Sequence, residues 1–194
     1  MKKGFTLVEL LIVIGLLSVI ALIVIAAINP IEQANRARDT KFRADGSQLV
    51  SAIERYFAVN DKFPWVTGSM TNDAAKNFVT AADTTVGICG TTCSVDGALI
   101  TTDELKTEFR NRDFVKSAGT DVTKQIRVGK AIGSSASIYA CYVPQSKSIR
   151  TKGCADNQVY ILNGSTRTQQ TCTAADVANP GWSAANPWSV CVPE

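Results

Sequence analysis

Histidine is absent from the 194-residue chain. That excludes Ser-His-Asp and Cys-His catalytic arrangements, His-ligated metals and a histidine pH switch. Net charge is also small. Twenty Lys and Arg stand against 17 Asp and Glu, a formal +3, too mild to specify a nucleic-acid partner by electrostatics alone. The glycines of Val86–Gly90 and Val128–Gly133 match no phosphate-cradling loop, and no motif calls for a cofactor. What the sequence does hold is an uneven distribution of hydrophobic residues.

From Leu10 to Ile28 it reads LLIVIGLLSVIALIVIAAI, without a charge. At 1.5 Å per residue such a helix spans nearly the ~30 Å hydrocarbon core of a bilayer. A core helix of a small soluble domain keeps one polar face, and this run has none. A cleaved secretory signal is the other reading, with Lys2 and Lys3 as its charged start. The run is longer than an ordinary signal core and lacks a small-x-small cleavage site before Asn29-Pro30. The two lysines place the N-terminus on the cytoplasmic side. The segment is therefore read as a membrane anchor.

Glu9 stands at the edge of that run. A carboxylate there is costly in lipid unless it is hydrated at the headgroups or finds a partner. Its setting supplies one. Lys2-Lys3-Gly4-Phe5-Thr6-Leu7-Val8-Glu9, followed by the apolar run, resembles the type IV prepilin signature. The resemblance implies cleavage after Gly4 by a prepilin peptidase and methylation of the new N-terminal residue, Phe5. It also implies that Glu9 pairs with the N-terminal amine of a neighbouring subunit. The physics agrees, since pairing that ammonium with the carboxylate spares two unpaired charges in apolar surroundings.

Beyond Asn29-Pro30, which should kink or open the helix, Phe42, Leu49, Ile53, Tyr56 and Phe57 recur at helical intervals, with Ala34 and Ala52 among them. Glu32, Arg36, Arg38, Asp39, Lys41, Arg43, Asp45, Glu54 and Arg55 fall on the opposite, water-facing side, and Gly46 is a weak point. Phe5 to Val59 as one helix would be roughly 80 Å long, and needs partners along its length. Pilin-like proteins supply them by bundling copies of this helix. Asn60 to Pro64 is a stop signal. The domain reading is a leader at 1–4, an N-terminal helix at 5–60 (transmembrane about 10–28, amphipathic about 31–59) and a globular pilin domain at 61–194.

Within that domain, Asn72–Ala82 is expected to form a small helix, and Thr101-x-x-Glu104 to be a capping box opening another, with Leu105, Phe109 and Phe114 apolar. Strands are expected at Gln125–Val128, Ser137–Val143 and Gln158–Leu162. Pro144–Gly153 would be a long turn or hold a short strand at Ile149. The fold class is α+β and type IV pilin-like: a very long N-terminal helix on a small antiparallel sheet, with a disulfide-stapled C-terminal loop.

Cys89, Cys93, Cys141, Cys154, Cys172 and Cys191 argue for disulfides in an exported domain, and six cysteines permit fifteen full pairings. Neighbour pairing is the expectation: Cys89–Cys93, Cys141–Cys154 and Cys172–Cys191, the last supported by the resemblance, since many pilins staple a C-terminal loop. Asp96, Asp103 and Asp121 match no EF-hand spacing and read as solvated loop acids, so no metal is expected. Asn163-Gly164-Ser165 is a glycosylation sequon, a frequent chance match. Lys147, Arg150 and Lys152 with Trp182 and Trp188 would form a surface for DNA, though a soluble turn with two packing tryptophans is the plainer reading.

The resemblance implies a non-enzymatic structural subunit of a surface filament, with self, prepilin peptidase, assembly platform and ATPase, and membrane lipid before assembly as partners. The alternatives are a pseudopilin of a type II secretion system and a minor pilin that binds DNA or surfaces.

Overall fold

The computed structural model describes residues 4–27, 29–68, 74–116, 119, 121–178 and 180–194. Helix α1 covers Leu7–Ala27 and α2 covers Pro30–Asn60. The long N-terminal helix is interrupted where Asn29-Pro30 was expected to kink or open it. Asn29 is extended, its side chain accepts the Glu32 N–H at 3.1 Å, and Pro30 opens α2. Proline at the first helical position loses no hydrogen bond, because its missing N–H would have been unpaired there. The stop signal acts where expected. Asp61 turns left-handed and its N–H closes on Phe57 O at 2.8 Å.

After α2 come β1 (Lys76–Thr80), α3 (Ala98–Thr101), α4 (Asp113–Lys116), β2 (Ile126–Lys130), β3 (Ile138–Tyr142), α5 (Lys147–Ala155), β4 (Tyr160–Asn163), β5 (Thr166–Gln169) and β6 (Val190–Val192). The main sheet runs β1-β2-β3-β6, each pair antiparallel, and β4-β5 form a separate hairpin. The fold is α+β.

Side-chain alternation gives the sheet two packed faces. Ile126, Val128, Ile138, Ala140 and Tyr142 join Phe42, Leu49, Ile53 and Tyr56 of α2 in the main core. Cys141 and Tyr139 lie in a second cluster with Leu162 and Tyr160 of the hairpin. Gly46 is where helix and sheet meet most closely. A Cβ there would stand 3.0 Å from Val192 Cγ2 and 3.3 Å from Ala140 Cβ. The helix-weakening residue is what lets α2 settle on β3 and β6.

Four local expectations are corrected. Residues 76–80, expected in a helix, are β1, because Val79 and Thr80 pair with Val128 and Arg127; Asn72 and Asp73 of that expected helix lie outside the described residues. Thr101 ends α3 instead of opening a helix. Asp103 turns left-handed (φ 61°), and Glu104 pairs with Arg55 Nε at 2.8 Å. Leu105, Phe109 and Phe114 are buried as apolar residues, but Leu105 lies in a bend after α3, Phe109 on a 3-10 turn and Phe114 on α4. Pro144–Gly153 holds no strand, since Lys147–Ala155 is α5, with Ser146 as its N-cap. Finally, Asp39 and Asp45 are buried, not water-facing.

The bridges are Cys89–Cys93, Cys141–Cys191 and Cys154–Cys172. The first is as expected and the other two exchange partners. Cys141 and Cys191 are register partners on β3 and β6. Cys154 rides on α5, away from the β3–β6 pair, and bonds to Cys172 instead.

Candidate functional site

Thr6 precedes the first turn of α1 and Glu9 is its third helical residue. Thr6 Oγ1 accepts the Glu9 N–H at 3.2 Å, while Glu9 Oε2 accepts the Thr6 N–H at 2.8 Å and its hydroxyl at 2.9 Å. This is a reciprocal capping box, satisfying two donors that a helix start leaves unpaired. The Thr-x-x-Glu spacing was legible in the sequence and its local role was missed. Glu9 is therefore held by its own chain, with its carboxylate kept beside the segment that precedes the helix.

That segment is open. Gly4, Phe5 and Thr6 are exposed and outside the helix, and nothing lies within 4 Å of a Cβ built on Gly4. The peptide between Gly4 and Phe5 is exposed. Lys2 and Lys3 lie outside the described residues.

The helix that follows has no cover among the described residues. Leu7–Ile25 has a mean hydropathy of 3.1 and none of it is buried, so one helix is long and apolar enough to cross a membrane. Its lone hydroxyl, Ser18, donates back to Ile14 O at 2.7 Å, which removes the cost of taking it into lipid. Residues 1–25 match the prokaryotic N-terminal methylation motif. The chain carries the motif typical of type IV pilins and pseudopilins. Neither the curated proteins nor the solved structures contain a match to the chain. With this motif, α1 has the composition of a pilin's membrane anchor, and the α+β body behind it is pilin-like.

A second constellation fixes the body of this pilin-like chain to α2. Glu32 accepts the Ser146 hydroxyl at 2.6 Å and the backbone N–H groups of Lys147 and Ser148 at 3.0 Å each. One helical turn or two further on, buried Asp39 accepts the N–H groups of Gln145 and Ser146 at 2.8 Å each. Two carboxylates of α2 thus take four consecutive backbone donors at the start of α5, where the helix dipole also favours negative charge. These bonds, led by Ser146, hold the Glu32 carboxyl down at about 2. Asp39 goes the other way. Burial pushes its carboxyl up, against the two N–H donors and the Arg38 guanidinium at 3.0 Å. Asp45, raised by burial, has Arg112 at 3.5 Å.

The remaining expected residues are scattered. Asp96 pairs with Arg110 at 2.7 Å, Asp121 caps Thr123, and Asp103 sits in its left-handed turn. Among the described residues, no three His, Cys, Asp or Glu are grouped to hold a metal. The basic and aromatic surface is broken up. Trp182 is 1% exposed and donates to Asp176 O, Trp188 packs edge-on against it, and Arg150 lies over Trp182 and donates to Pro144 O. Lys147 and Lys152 remain exposed on α5, without accessible tryptophans between them for bases to stack on.

Proposed function

We propose that the protein is a structural subunit of a type IV pilus-like surface filament. The observation that carries this reading is the uncovered helix Leu7–Ile25 behind an accessible Gly4-Phe5 peptide, in a matched methylation motif. Before assembly α1 lies in lipid, which satisfies its apolar surface. Cleavage after Gly4 by the prepilin peptidase frees the amine of Phe5, which is then methylated. Copies of the chain replace lipid around α1, and Glu9 of one subunit receives the N-terminal cation of another. The assembly platform and its ATPase supply the work of extraction, while α2 carries the globular body on the outside. Three disulfides suit a domain exposed to an oxidising exterior.

The test is one mass spectrum of the unreduced protein from cells with an active prepilin peptidase, joined to antibody imaging of those cells. The expected species starts at Phe5, carries one added methyl group and has no free thiol, and the label decorates long extracellular fibres. A retained Met1 terminus overturns processing. Fibres that form only when secretion genes are overexpressed replace the pilus with the piston of a type II secretion system.

A further inference from the structure

We propose that a cleft on the sheet face opposite α2 binds a carboxylate-bearing sugar, a uronic acid, through Arg167. The cleft, of about 360 Å³, lies between the loop that joins β2 to β3 and the turn of the β4-β5 hairpin. Arg167 on β5 stands opposite Leu162, and its guanidinium carbon is 3.5 Å from the centre of the Tyr139 ring and 4.4 Å from that of Tyr160. Two rings hold the guanidinium plane in place, yet it forms no ion pair or hydrogen bond with any described residue. Its Nη1 is shielded from solvent and without a partner. A buried donor with nothing to donate to is rare in folded proteins. Here it belongs to a group that opens onto a cleft.

The rest of the lining says what would satisfy it. No carboxylate lines the cleft, so nothing competes for the cation. With its faces against aromatic rings, a guanidinium offers its edge, and that edge matches the two coplanar oxygens of a carboxylate. Ser135, Ser137 and Ser165 bring hydroxyls to the lining, and the Phe78 ring forms part of the wall. Hydroxyls around an aromatic wall suit a polyhydroxylated ring with apolar C–H faces. The wall is rigid: Phe78 donates its N–H to Gly164 O at 2.7 Å, and a Cβ on Gly129 would lie 2.6 Å from its ring. The cleft is preformed, as small-ligand sites usually are. It is distant in sequence from the methylation motif, and the proposal does not rest on the filament reading.

Titration calorimetry of the full chain in zwitterionic detergent tests it, with glucuronate, oligogalacturonate, glucose and inorganic phosphate as probes. Glucuronate and oligogalacturonate should bind and glucose should not. Arg167→Gln should weaken the acidic sugars by at least about tenfold, the loss expected for a charge-assisted bidentate pair, with Arg167→Lys in between. Thermal melting checks that the variants are folded. Should Arg167→Gln not fold, the double change Ser135→Ala and Ser137→Ala, at exposed positions, should weaken the acidic sugars with melting unchanged. No binding by the native chain, equal binding of glucose, or undiminished binding by a folded Arg167→Gln overturns the proposal. Phosphate binding as tightly as glucuronate overturns the sugar assignment.

Discussion

Ser146 stands 114 positions after Glu32, and its hydroxyl donates to that carboxylate at 2.6 Å. The pair joins α2 to the start of α5, beside the bonds that Asp39 makes to Gln145 and Ser146. Glu32→Ala should cost about 1–2 kcal/mol, since it strips an acceptor from a hydroxyl and two backbone donors. The pH dependence follows from the depressed carboxyl, held at about 2. A depressed acid contributes stability above its unfolded value, and loses it as pH falls through the folded one. The melting difference between native chain and Glu32→Gln should therefore be full at pH 6 and shrink between about pH 4.5 and pH 2. A difference that is flat across this range would refute the role.

Gly46 sits where α2 meets Ala140 and Val192. Gly46→Leu should lower stability by about 1–3 kcal/mol, the usual cost of overpacking, despite leucine's better helix propensity. Chemical denaturation at neutral pH measures it. An unchanged or raised midpoint would show that the helix can slide on the sheet.

The bridges should differ in worth by the length of chain they close. Sequence separations of 50, 18 and 4 residues give about 4, 3 and 2 kcal/mol in the loop-entropy model. Paired Cys→Ser variants should therefore rank Cys141–Cys191 as most damaging and Cys89–Cys93 as least. Peptide mapping of the unreduced protein should recover these three links. A Cys172–Cys191 peptide would contradict the strand pairing.

Glu9 has one observed role, capping, and one proposed role, pairing, and the two can be separated. Glu9→Ala should leave a cleaved, methylated, anchored protein that yields few filaments. Glu9→Gln keeps an acceptor for Thr6 but no charge, and should assemble as poorly. Normal filament yield from Glu9→Gln would reduce Glu9 to a helix cap.

Much of this architecture was legible because periodicity reports burial. The apolar stripe of α2 and the runs at Ile126, Ile138 and Tyr160 each declared themselves by spacing. Asp39 did not, because a charged residue reads as solvent-facing until its donors at Gln145 and Ser146 are known. Those donors come from a distant helix start, as the ones at Glu32 do. β1 was lost for a similar reason. Its strand state rests on pairing with β2, which overrides a weak local helical pattern. At the N-terminus the motif was plain in the residues, while the Thr6–Glu9 reciprocity was overshadowed by the intermolecular role expected of Glu9. The cleft at Arg167 could not have been found by pattern, since its rings come from β3 and β4.

Strand β6 completes the sheet from positions 190–192, and it supplies both Val192 beneath Gly46 and Cys191 for Cys141. That strand is the last part of the sheet to be synthesised, long after α2. The surface on which α2 rests cannot close until then, so the body cannot mature piece by piece as it emerges. Chains halted short of Val192 would leave Gly46 and Ala140 without that cover. The order of the polypeptide thus ties closure of the helix–sheet seam to the arrival of residues 190–192.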